Sequence, residues 1–173
     1  MRLSARQIAG IVFAAVISVV ITRYYDFLPY RWQTFNAPDG SFSAQFPGKP
    51  AVADRQVQST TGAVIVMHEV TVAPSKSTTY SCMHYDDPRL VSETVEEVLN
   101  SSRDDGIANV QGHLVSEQRL EFAGHPARDI EARVRGNAIL DMRLVAAGQQ
   151  MFVLMVVDGA HGNPDSKNTR KVF

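Results

Sequence analysis

The residue types able to carry chemistry are few here, and they concentrate in one stretch. Cys82-Met83-His84 sets a thiol and an imidazole two residues apart, and in a strand such residues point to the same face. That places two soft ligands within reach of a copper or zinc ion. His68, which follows Met67 on an earlier predicted strand, would complete a three-ligand set if the two strands were neighbours. The spacing is common by chance, and the competing reading is a hydrogen-bonded histidine beside a small buried thiol. The second reading is preferred, so no catalytic, cofactor-binding or metal-ligating residue is assigned. A metal-binding protein or metal-dependent enzyme built on His68, Cys82 and His84 stays as the alternative.

Other chemistry finds less support. No Ser sits in a G-x-S-x-G elbow, and Cys82 with His84 or His68 is a poor dyad, because neighbours along one strand seldom align as nucleophile and base. Asp86-Asp87 and Asp104-Asp105 are paired carboxylates flanking a predicted helix; the first suits helix capping and the second a solvated exit loop. His113, His125 and His161 read as surface residues near strand ends and turns. Phosphate-cradling glycine loops and basic aromatic patches are missing from the sequence. A net charge of -1 argues against nucleic acid as a partner. A single cysteine precludes an intrachain disulfide.

These residues need a scaffold, and the sequence predicts one rich in strands. Arg31 to Ala37 and Ser41 to Phe46 read as a hairpin around Pro38-Asp39-Gly40, with Phe42, Ala44 and Phe46 on one face. Pro47-Gly48-Lys49-Pro50 ends it. Val52 to Gln58, Ala63 to Ala73 and Thr78 to Tyr85 follow as strands, the second read as central because Val64, Val66, Val70 and Val72 share a face with His68 while Ile65 and Met67 lie opposite. Asp87 as N-cap and Pro88 at the first helical position predict a helix to about Arg103, with Val91, Val95, Val98 and Leu99 on its apolar stripe and Gly106 as terminator.

Four more strands are expected: Gln111 to Phe122, Ala127 to Arg135, Ile139 to Ala147 and Met151 to Val157. In the middle pair, a loop at Gly136-Asn137-Ala138 would set Arg133 opposite Asp141, Glu131 opposite Arg143, Val134 opposite Leu140 and Ala132 opposite Met142. Met151 to Val157 is apolar on both faces, as a strand covered on both sides would be. Asn163-Pro164-Asp165 opens a short final helix through Phe173.

Ahead of this domain, Ile8 to Ile21 carries no charge. Leu3, Ala5, the stem of Arg23 and the aromatic belt of Tyr24, Tyr25, Phe27, Tyr30 and Trp32 extend it toward the length of a membrane span. The residues after the run are too bulky for a signal-peptidase site. The expectation is an uncleaved signal anchor over residues 1–24, a linker over 25–32 and one globular domain over 33–173; a cleaved signal peptide and a buried core helix are the alternatives. Arg2, Arg6 and the amino terminus orient the N-terminus toward the cytoplasm, so the chain is expected in the inner membrane, single-pass, with its domain on the periplasmic or extracellular side.

Phe35, Pro38-Asp39-Gly40, Phe42, Phe46-Pro47-Gly48-Lys49-Pro50 and Gly124-His125-Pro126-Ala127-Arg128, with the late apolar strand and final helix, resemble the PsbP-like superfamily, which includes the photosystem II extrinsic protein and the LpqN/DcrB-like bacterial exported proteins. The resemblance spans roughly Trp32 to Phe173 and rests on turns and core aromatics. It implies an α+β fold, an antiparallel β-sheet flanked by helices in a PsbP-like sandwich, and an accessory or binding role without catalysis. The lipidation Cys of the lipoprotein members is missing, so the Ile8 to Ile21 helix would do the tethering. The expected function is a membrane-anchored extracytoplasmic binding module that scaffolds or assists an envelope protein complex, with the lipid bilayer and an envelope protein as partners. Ser75 to Thr79 and Gly159 to Asn163 are the loops expected to carry recognition.

Overall fold

A computed structural model describes residues 31–58 and 64–159 of the chain. The expected membrane run, the connection between the strands expected at Val52 to Gln58 and Ala63 to Ala73, and the final helix lie outside the described residues. Among those described, no helix is long and apolar enough to cross a membrane.

Strands β1 (Trp32–Asn36) and β2 (Ser43–Pro47) form a separate two-stranded sheet. Its turn closes as the expected motif predicts: the Ala37 N–H donates to Phe42 O and the Gly40 N–H to Ala37 O. The Ser41 N–H and hydroxyl both bond to Asp39 Oδ1, and Gly40 takes φ +73°, a conformation open to glycine.

Seven strands make the main antiparallel sheet: β3 (Ala51–Gln58), β4 (Val64–Val72), β5 (Thr78–Asp86), β6 (His113–Phe122), β7 (His125–Arg133), β8 (Ile139–Ala147) and β9 (Gln150–Asp158). Their spatial order is β3-β4-β5-β9-β8-β7-β6, with every neighbouring pair antiparallel. β9 is the middle strand, in keeping with its apolar run on both faces. β4 is second from the edge and not central. Its Val70 and Val72 are buried while Val64 and Val66 are exposed, because β5 pairs with it only from His68 to Val72.

The sheet buries its two faces differently. On one side lies helix α2 (Val95–Asn109), preceded by a single turn, α1 (Arg89–Ser92). Val98, Leu99 and Ile107 of α2 pack on Ile130, Leu140, Met142 and Leu144 from β7 and β8. On the other side the β1–β2 hairpin lays Ala44 and Phe46 over Val70, Val72, Tyr80, Cys82 and Val156. The domain is thus a hairpin, a sheet and a helix in three layers.

The expected single helix from Asp87 is corrected to two pieces. Glu93 is extended (φ -114°, ψ 165°) and Thr94 caps a new helix through a reciprocal box with Glu97. The two side-chain contacts satisfy donors that a helix start leaves unpaired, so the break is stable. Asp87 instead accepts from the Arg89 backbone N–H and pairs with the Arg89 guanidinium, which reaches on to Ser101 and Ser102. Val91 falls in the short piece and is 70% exposed. Gly106 does not terminate α2 but lies within it, where an added Cβ would sit 3.1 Å from Met142 Cε. The glycine permits close approach of helix to sheet.

The β7–β8 register is also corrected. Ala132 faces Leu140, Ile130 faces Met142, Asp129 faces Arg143, Glu131 faces Asp141 and Arg133 faces Ile139. The connection contains a 3-10 turn at Arg135–Asn137, closed by the Val134 N–H donating to Ala138 O, so Val134 leaves the ladder. Which residues face inward is unchanged. The charge pair becomes Asp129 with Arg143, at 2.5 and 2.7 Å.

Candidate binding groove and the buried histidine

The register of β4, β5 and β9 assembles the residues that sequence reasoning singled out. His68 stands opposite His84, Val70 opposite Cys82 and Val72 opposite Tyr80. Across the other edge of β5, Cys82 faces Leu154 and His84 faces Phe152. All share the face under the β1–β2 hairpin. The strand of His68 does neighbour that of Cys82-Met83-His84, which is the condition on which a three-ligand set depended.

The arrangement is aromatic packing. The His68 and His84 rings stack at 4.8 Å and 28°, His84 stacks on Phe152 at 5.6 Å and 14°, and Phe42 meets His84 edge-on at 5.5 Å. Stacked imidazoles hold their lone pairs in nearly parallel planes, which do not converge on one ion. Among the described residues no three His, Cys, Asp or Glu side chains are grouped to hold a metal. His68 Nδ1 instead lies 2.8 Å from Asp54 Oδ1.

Cys82 is 2% exposed. Burial pushes its thiol up to about 12 from 9.0, so almost no thiolate forms at neutral pH. His84 is 5% exposed. Its Nε2 lies 3.9 Å from Asp39 Oδ2, and its buried Nδ1 has no hydrogen-bond partner among the described residues. Burial, with His68 adding to it, lowers its pKa below 6.5 against the pull of Asp39, Asp86 and Asp54.

Beside this stack runs a half-open groove of about 410 Å³. Its floor comes from Val145 of β8 and Phe152 and Leu154 of β9, with Cys82 at one end. Residues 41–44 form one wall, and Phe122 and Ala123 at the β6–β7 turn form the other. The volume is in the range of small-ligand or side-chain pockets. Its polar groups, on Ser41, Ser43, His125 and Gln150, could orient a ligand but form no acid–base pair. At the far wall the Arg143 guanidinium lies 4.9 Å over the Phe122 ring while paired with Asp129, which holds the edge strand's aromatic in place.

The groove was missed in the sequence because Phe122, Val145 and Phe152 fall there within separate predicted strands, with no local pattern joining them. His125, read as a surface residue, is half-buried and lines the groove. The recognition loops expected at Ser75 to Thr79 and Gly159 to Asn163 meet elsewhere: the Ser75 hydroxyl accepts from the Ser77 and Thr78 N–H groups, and the Gly159 N–H donates to Ser77 O. Residues 160–163 lie outside the described residues.

The fold is similar to that of cyanobacterial PsbP, CyanoP, from Synechocystis sp. PCC 6803, whose solution structure aligns with a TM-score of 0.58 over 84% of this chain and 91% of that one, at 9% identity. A Pseudomonas aeruginosa protein of unknown function, PA94, described as a putative regulator, aligns at a TM-score of 0.46 and 9% identity over 82% of this chain and 92% of that one. No family model matches the chain, and no curated protein sequence does. The protein has a PsbP-like α+β fold. At such identities the likeness is one of fold alone.

Proposed function

We propose that this chain is a membrane-anchored extracytoplasmic accessory module that performs no catalysis and holds an envelope protein partner in the groove between the β1–β2 hairpin and the β6–β7 turn. The observation that carries this reading is the groove itself, an open apolar cleft on a rigid sheet beside a buried, protonated thiol. The uncharged run from Ile8 to Ile21, with Arg2 and Arg6 before it, supports tethering to the bilayer with the domain exported.

Two experiments separate the parts of this reading. A photo-crosslinking amino acid at Ser43, on the groove wall, is expected to capture a membrane-fraction protein that the same probe at exposed Val91, on α1 across the sheet, does not capture. Equal capture from both positions, or none from Ser43, defeats the groove as the docking site. Carbonate fractionation with protease treatment of spheroplasts is expected to leave the chain in the membrane with its domain digested; a soluble chain or a protected domain defeats the anchored, exported placement.

A further inference from the structure

The β1–β2 hairpin shares no ladder with the seven-stranded sheet. It is joined to β3 through a short loop containing Gly48, at φ +125°, and among the described residues it is held to the sheet by side-chain contacts. Ala44 and Phe46 are buried against the sheet, Trp32 meets Tyr80 edge-on at 5.8 Å, and Phe42 rests on the His84 ring. Lifting the hairpin breaks no sheet hydrogen bond. His84 is thus a buried titratable group at a seam between two layers.

The polar surroundings of His84 suit one protonation state. A neutral imidazole needs a partner for a single N–H, and Nε2 points toward Asp39, while a bare lone pair at Nδ1 is cheaper to bury than a bare donor. An imidazolium carries N–H on both nitrogens, and Nδ1 is buried without an acceptor among the described residues. Its charge would also sit in a stack with His68 and Phe152.

We propose that His84 is an acid-sensitive latch: neutral, it lets the β1–β2 hairpin dock; protonated, it releases the hairpin and with it the Phe42 wall of the groove. The titratable groups that face it are Asp39 from the hairpin turn, Asp54 from β3, His68 from β4 and Asp86 from its own strand. The three carboxylates favour the imidazolium, whereas His68 and burial oppose it, and burial is the largest effect. The docked form therefore holds its proton more weakly than a solvated imidazole, whose ordinary value is 6.5. Docking is at full strength above that value and weakens as pH falls through it toward the lower docked value. Across that window the opening equilibrium rises by up to about tenfold per pH unit.

Trp32 is the only tryptophan in the chain and lies on the hairpin, so its emission reports docking. The full chain in detergent should show a reversible red shift of Trp32 emission on going from pH 7.5 to 5, with the far-ultraviolet dichroism of the sheet retained. His84→Phe should remove the shift. His68→Gln, at a half-exposed position, should move it to lower pH by relieving the repulsion on His84. An unchanged emission in the wild type, an equal shift in His84→Phe, or a shift that coincides with loss of the dichroism overturns the latch; if His84→Phe fails to fold, an unmoved midpoint in His68→Gln does so.

Discussion

Arg128 is the largest of the side chains with under 2% exposure, at 1%, and its charge is balanced from two directions. Its Nη2 bonds to Glu96 on α2, and its Nε lies 2.9 Å from Glu117 Oε1 on β6. The second contact is an ion pair whose N–H is poorly aligned with the oxygen. Glu117 in turn accepts from Arg103 on α2 at 2.7 Å. Replacing Glu117 with Ala removes the half-buried counter-charge of a buried guanidinium and leaves Arg128 with Glu96, whose side chain is 52% exposed. Orphaning one member of a buried pair costs about 3–5 kcal/mol, and the surviving Glu96 contact puts this case near the lower end, about 3 kcal/mol. With a urea m-value of about 2 kcal/mol/M, the unfolding midpoint should fall by about 1.5 M at unchanged m. Arg128→Met removes the charge together with its desolvation penalty and leaves Glu117 paired to Arg103, so it should lie within about 1 kcal/mol of the wild type. The double variant should recover most of the loss. A midpoint drop under about 0.5 M for Glu117→Ala, or an Arg128→Met loss as large as that of Glu117→Ala, refutes the argument.

Thr94→Ala deletes the hydroxyl that accepts from the Glu97 N–H and should cost about 1 kcal/mol in urea unfolding. The Cys82 thiol, raised to about 12 in the fold from 9.0, stays neutral in the folded chain while the unfolded chain ionises; the stability it supports is complete below pH 9 and is lost as pH climbs toward 12. Urea midpoints measured at pH 8, 9.5 and 10.5 should therefore fall more steeply for the wild type than for Cys82→Ala, and parallel slopes would contradict the assignment.

The helix break shows how much local chemistry was already written in the chain. Thr94-Val95-Glu96-Glu97 is a capping-box pattern, which marks a helix start at the position where α2 begins. The Asp87-Pro88 signal is also real, but it opens only one turn, since Glu93 is extended. Two start signals competed, and the second wins because α2 can bury Val98 and Leu99 completely. Gly106 misled for a related reason: a glycine near a helix end reads as a terminator, and only the position of Met142 on β8 reveals that it is needed for packing. In the β7–β8 pair, alternation told which side chains face inward, whereas the partner of each depended on a turn whose backbone includes Gly136 and Asn137 at positive φ.

Strand content, the hairpin at Pro38-Asp39-Gly40 and the shared face of Cys82 and His84 follow from short-range rules, because turn chemistry and a two-residue repeat act within a few residues of one another. The groove and the His84 stack do not. Both depend on β9, from the far end of the chain, lying beside β5, and on a hairpin from the beginning of the domain covering that seam. Pairings of that separation are set by which apolar faces bury each other in three dimensions, and no local pattern in the sequence records them.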